Sequence, residues 1–167
     1  MMKTDNSEEV FPVVDEAGNV VGRASRGECH GGSKLLHPVV HLHVFDPEGR
    51  LFLQHRPEWK DIQPDKWDTA VGGHVDFGEN VMAALRREAR EELGLTDFNP
   101  EHVRSYVFES DRERELVITF KAVVNPADVN PSDELDGGRW WSAEELSKSR
   151  EELTPNLRHE LDMLNLI

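Results

Sequence analysis

Apolar residues along this chain follow two rhythms. Over residues 81–93, Val81, Met82, Leu85, Ala89 and Leu93 recur at three- and four-residue intervals, the spacing of one face of a helix. At 3.6 residues per turn they span an arc of roughly 120°. Gly94 stands at the position just past the last turn, where glycine ends a helix. Elsewhere the period is two. Val40, Leu42 and Val44 alternate with Val39, His41, His43 and Phe45, and Leu116, Ile118, Phe120, Ala122 and Val124 alternate with Val117, Thr119, Lys121 and Val123. Those patterns predict strands over 39–45 and 116–124.

Shorter signals fill in the rest. Residues 11–15 and 20–23 flank Glu16-Ala17-Gly18-Asn19 and predict a β-hairpin. Residues 22–33, rich in Gly, Ser and charge, read as a loop holding Cys29 and His30. Asp46-Pro47-Glu48-Gly49 is a turn before a strand at 51–55. A polar loop at 56–66 precedes a strand at 67–71, which runs into Gly72-Gly73. Two glycines there allow a sharp backbone turn and close approach to a ligand. Further strands are expected at 103–108 and 139–141, with a charged turn at 109–115 and a loop at 125–138. Ser142 to Glu145 forms a capping box for a short helix. Thr154-Pro155 starts another helix, with Leu157, Leu161 and Leu164 on its apolar face. His41 and His43 read as half-buried sheet residues, and Trp140-Trp141 as packing beside the core. Strands with one central helix and terminal helices predict an α/β (α+β) sandwich built on a mixed sheet.

Composition narrows the class. The 167 residues suffice for one domain, expected over 11–167 behind a loose leader at 1–10. A formal net charge of −14 argues against nucleic acid or an anionic membrane as partner. It leaves room for a small phosphorylated substrate, because a bound cation can reverse the local sign. Cys29 is the sole cysteine, so no intramolecular disulfide forms. With no apolar signal segment or membrane-length apolar run, a cytoplasmic protein is expected. The sequence is compatible with a homodimer.

The candidate chemistry lies beside the helical stripe. Glu88, Glu91 and Glu92 share an arc of roughly 100°. Like charges at that spacing repel, more so near a core. A hard divalent cation with oxygen ligands offsets the repulsion. Strand, glycine pair, loop and carboxylate-faced helix together form a cup for a metal-bound diphosphate.

Gly73, Glu79, Arg87-Glu88-Ala89, Glu91-Glu92 and Gly94-Leu95, at spacings of five, seven, one and one, resemble the Nudix box. Every charged and glycine position matches. Ala89, at a position usually held by a bulky aliphatic, bears on packing and not on chemistry. The resemblance implies an α/β/α sandwich. It also implies Mg²⁺ or Mn²⁺ held by Glu88, Glu91 and Glu92 with the Gly72 carbonyl, Glu79 as outer support and Arg87 orienting the glutamates. The implied reaction is water attack on the diphosphate of a small substrate, such as a nucleoside diphosphate linked to another moiety. Glu91, Glu92, Glu115 and Glu134 are the candidates for general base.

The upstream half resembles the isopentenyl-diphosphate isomerases through Val13-Val14-Asp15-Glu16, Gly22-Arg23, Glu28-Cys29-His30, Leu36-His37, Gly49-Arg50-Leu51 and Gln54-His55-Arg56. That resemblance implies a second metal site of His30, His37, His74, Glu113 and Glu115. Three His with two Glu suit Zn²⁺ or Mn²⁺. The isomerases carry a working cysteine just before the Gly-His pair, where this chain has Gly72. The expected activity is therefore a hydrolase on an isomerase-like frame, with isomerase as the alternative and a non-catalytic diphosphate binder as a third reading.

Overall fold

The computed structural model describes residues 8–57, 64–132 and 136–166. Parts of the leader, of the 56–66 and 125–138 loops, and with them Glu134, lie outside the described residues.

A hairpin opens the chain: β1 (Val10–Val14) pairs antiparallel with β2 (Val20–Ser25). Residues 8–10 are tied in rather than loose, since the Glu9 carbonyl accepts the Arg26 N–H at 2.6 Å and the Val10 carbonyl accepts the Phe77 N–H at 2.9 Å. The loop expected at 22–33 is instead the end of β2 followed by a short helix, α1 (Arg26–His30). Ser25 and Glu28 cap it reciprocally, a local signal that the glycine content obscured.

The main sheet is organised around β3 (Leu36–Phe45). On one side β8 (Arg114–Val123) runs parallel to it over its full length, and β7 (Glu101–Glu109) pairs with β8. On its other side β3 has two partners in turn. Its stretch from Val39 to Leu42 pairs with β6 (Val71–His74), and Val44 and Phe45 pair with β4 (Leu51–His55). β4 then carries β5 (Trp67–Thr69) and β9 (Gly138–Trp141). The expected single strand at 67–71 is thus broken at Ala70 into β5 and β6, which belong to diverging parts of the sheet. Gln54 clamps the break by donating to the Thr69 and Ala70 carbonyls at 3.0 and 3.3 Å.

Alternation assigns the two faces. Val40, Leu42 and Val44 join Phe52, Phe120 and Ala122 against α2 (Val81–Leu93), which presents Leu85, Ala89 and Leu93, all fully buried. Each leucine contributes roughly 2 kcal/mol by leaving water. Met82 departs from the expected stripe and is exposed, whereas its neighbour Val81 packs against the core. Gly94 closes α2 with a left-handed φ of 62°. Leu51 and Leu53 turn the other way, toward α3 (Ala143–Lys148) and α4 (Pro155–Leu164), where Leu146, Leu153, Leu157 and Leu161 bury against Trp141. The result is a mixed sheet between helices, the α/β sandwich expected from the sequence.

Candidate active site

The divergence of β5 from β6 opens a cleft of about 430 Å³. Glu88 and Glu92 of α2 line it together with Gly72, Gly73 and His74 of β6 and Glu115 of β8. The glycine pair does not make a turn. Both residues lie in a strand, and their smallness serves approach: a Cβ on Gly73 would stand 2.2 Å from Glu88 Cδ. Glu88 is therefore cradled directly on the sheet backbone. The Gly72 N–H points away from β3 and donates to Glu92 Oε2 at 3.3 Å. Gly72 is thus a non-hydrogen-bonded position of the β3–β6 ladder, and its carbonyl shares the free edge beside the two glutamates.

Arg87 fixes this arrangement. Its Nε and Nη2 grip both oxygens of Glu79 at 2.8 and 2.9 Å, its Nη1 donates to Glu88 Oε1 at 2.8 Å, and Nη2 also reaches the His74 carbonyl at 3.1 Å. The fork geometry of guanidinium suits this double pairing. The Arg87 hydrogen bond holds the Glu79 carboxyl below the usual carboxylate range. Glu88 and Glu92 are buried at 2% and 9% exposure. Glu91 sits at the margin, its side chain 42% exposed and 3.6 Å from Arg87, on the outer side of the cleft wall.

A second cluster adjoins the first. His30 comes from α1, His37 from β3, His74 from β6 and Glu115 from β8, with potential ligand atoms all within 4.8 Å of one another. Glu113 Oε2 lies 3.0 Å from His30 Nε2, and Glu115 Oε2 lies 3.8 and 3.9 Å from His37 Nε2 and His74 Nε2. Donors sharing one ion at about 2.0–2.2 Å stand roughly 3–4 Å apart, so these separations fit a common ion. His37 Nδ1 is held by the Leu35 carbonyl at 3.0 Å, while its Nε2 is buried without a hydrogen-bond partner among the described residues. That is an orphan aimed into the cluster. Phe11 stacks on His74 at 4.6 Å between centroids and walls off the far side.

Burial, then the charge of Glu113, pushes the Glu115 carboxyl up to about 7, with His41 opposing. This makes a pH prediction for chelator-treated protein. A carboxyl with a raised folded pKa gives stability that is full below its ordinary 4.5 and lost as pH rises through about 7. The stability of the protein minus that of Glu115→Gln should fall by on the order of 3 kcal/mol from pH 4.5 to 8. Urea unfolding at several pH values measures it; a flat difference would mean that burial does not strain this carboxylate.

Sequence reasoning missed Glu160. His41 and His43 are more than half-buried sheet residues: both bond this buried carboxylate on α4. The signal existed, since Glu160 lies three residues after Leu157 on the apolar side of its helix. Phe11 and Gln54 carried no signal of their own, because their roles come from chain segments remote in sequence. Trp141 is buried in the core below α3 and α4, and Trp140 packs edge-on against Phe52.

Buried carboxylates on a helix thus lie against strand glycines at the split edge of a mixed sheet. The chain belongs to the NUDIX domain family, whose model matches residues 35–163. It is 33% identical over 148 residues to an uncharacterized Nudix hydrolase of Yersinia pestis, covering 89% of this chain and 81% of that one. It is 39% identical over 90 residues to an isopentenyl-diphosphate Delta-isomerase of Agromyces mediolanus, covering 54% of this chain and 44% of that one. A crystal structure from Deinococcus radiodurans shares the fold with a TM-score of 0.76 at 24% identity, covering 93% of this chain and 99% of that chain. Among the described residues, no helix is long and apolar enough to cross a membrane.

Proposed function

We propose that this hydrolase requires a divalent cation, Mg²⁺ or Mn²⁺, and cleaves the diphosphate linkage of a small substrate such as a nucleoside diphosphate joined to another moiety. The observation that carries the reading is the cradle: the buried carboxylates of Glu88 and Glu92 line one cleft with Gly72 and Gly73 at the edge of β6. Glu88, Glu92 and the Gly72 carbonyl would hold the cation, with Glu91, one turn on from Glu88 at the cleft margin, able to join them on reorienting. A bound cation there supplies neutralisation of phosphate oxygens and activation of water. Arg87 and Glu79 hold the glutamates in place without meeting substrate. Glu115 also lines the cleft and stands with Glu91 and Glu92 as a candidate to take the proton of the attacking water.

His30, His37, His74 and Glu115, with Glu113, form the second site, suited to Zn²⁺ or Mn²⁺. Calorimetric titration with Mn²⁺ should show two ions per chain, and His37→Ala should leave one. An unaltered count in that variant rejects the second site.

The activity is tested by release of phosphate or nucleotide from a panel of nucleotide sugars, dinucleotides, nucleoside triphosphates and prenyl diphosphates. Mg²⁺-stimulated cleavage of at least one is expected; no turnover with either metal, alongside tight nucleotide binding, would favour a binding protein. The histidine cluster and the Agromyces relative favour isomerase chemistry as a second reading. Gly72 weighs against it, because glycine has no group to move a proton. Incubation with isopentenyl diphosphate in deuterated water discriminates, and deuterium uptake would reverse the order of the two.

A further inference from the structure

One buried polar cluster plays no part in the chemistry above. Glu160 is 1% exposed, on a face of α4 otherwise made by Leu157 and Leu161. Its carboxylate takes hydrogen bonds from His41 Nδ1 at 2.9 Å, His43 Nε2 at 2.7 Å and the Tyr106 hydroxyl at 2.5 Å. A buried charge persists when it is satisfied in this way. Burial acts to raise the Glu160 carboxyl, but the bonds from His41 and His43 outweigh it and hold it well below the usual range.

The three donors differ in what else they can reach. His43 is fully buried. His41 alone of the three lines the cleft that holds Glu88, Glu92 and Glu115. With its Nδ1 committed to Glu160, its Nε2 is the nitrogen left for the cleft. Gly72 is its partner across the β3–β6 ladder. A Cβ at Gly72 would stand 3.4 Å from His41 Cδ2 and 3.7 Å from Nε2. Glycine leaves that space open, and the side chain beside the opening is His41.

We propose that His41 contacts the substrate, its Nε2 in a hydrogen bond with a non-bridging oxygen of the bound diphosphate, and that Glu160 is the positioning residue that fixes its ring. This rests on the cleft being the diphosphate site. The need is electrostatic. Glu88, Glu92 and Glu115 surround the opening, and Arg87 is engaged by Glu79 and Glu88. Arg26 and Arg56 also line the cleft, and on the part of its wall that β3 supplies, the side chain that can donate to a polyanionic substrate is His41. A carboxylate behind an imidazole fixes the orientation and polarity of the ring, as it does behind histidines that serve as ligands.

The probe is methylenediphosphonate, a diphosphate analogue with no cleavable bridge, added to the full chain with Mg²⁺. Calorimetry and ¹⁵N NMR of the His41 ring are the readouts. The Nε2 resonance of the unaltered protein should move on saturation. His41→Ala should weaken the diphosphonate about tenfold with Mg²⁺ affinity unchanged, and His41→Gln, which returns an N–H near the Nε2 position, should recover part of the loss. Glu160→Gln should weaken binding in the unaltered background and add nothing once His41 is alanine, a coupling that a merely structural role would not produce. A motionless Nε2 resonance, or equal binding by a folded His41→Ala variant, overturns the inference while leaving the diphosphate site intact. Should the unaltered protein bind neither Mg²⁺ nor the diphosphonate, the reading of the cleft fails and this inference with it. If His41→Ala does not fold, the NMR shift alone decides.

Discussion

Replacing Glu92 with glutamine should lower kcat on a cleavable diphosphate by about a thousandfold in Mg²⁺, equivalent to roughly 4 kcal/mol of barrier. Glutamine has nearly the same volume, and its carbonyl can still accept the Gly72 N–H that Glu92 takes at 3.3 Å. The fold should survive, so the loss reports charge. On the proposed reading a carboxylate at 9% exposure would face a weakly screened cation, and removal of one unit of charge there would cost several kcal/mol of transition-state stabilisation. Glu88 is the poorer test, because neutralising it also breaks the 2.8 Å pair with Arg87. Steady-state rates over a Mg²⁺ titration check the outcome. The apparent Mg²⁺ requirement should rise as kcat falls, and a variant that keeps even a tenth of the rate would remove Glu92 from the metal set.

Gly73→Ala should destabilise the protein by about 2 kcal/mol, lowering Tm by roughly 4–8 °C, and abolish metal-stimulated turnover. The added Cβ would lie 2.2 Å from Glu88 Cδ and 2.5 Å from Oε1, distances at which one of the two must move. Glu88 is not a loose surface chain that yields cheaply. It is buried, and Arg87, itself fixed by Glu79, holds its oxygen. The carboxylate must swing out of its cradle, losing both packing and pairing. Gly72→Ala is the control for stability, since its Cβ would meet His41 at an ordinary 3.4 Å. Calorimetric melting of the two variants separates the cases; equal Tm values would show that the cradle is slack.

Much of this was readable in one dimension because the pertinent forces are local. Period-two alternation assigned Val40, Leu42 and Val44 to one face of β3. The three-and-four spacing of Leu85, Ala89 and Leu93 set α2 in phase, and the two capping signals at Ser142 and Thr154 gave the starts of α3 and α4. The glycine pair was legible as important but not for its reason. A sequence shows that a side chain is absent. That Glu88 fills the vacated space depends on how α2 lies across β6. Similarly, the break at Ala70 has no composition signal, because it arises when β3 exchanges β6 for β4 along one edge.

By itself the sequence determined most of the element types, though not α1 or the split of β5 from β6, together with the phase of the helix that carries Glu88, Glu91 and Glu92, and the family, since each follows from backbone geometry and residue spacing within a few turns. Only the tertiary structure decided which of those carboxylates turn inward, bringing Glu88 and Glu92 to the cleft and leaving Glu91 outside. It also decided that Glu160, more than a hundred residues downstream of His41 and His43, meets both. Such encounters depend on sheet register and helix docking, where the burial of many side chains fixes positions that no short stretch of chain encodes.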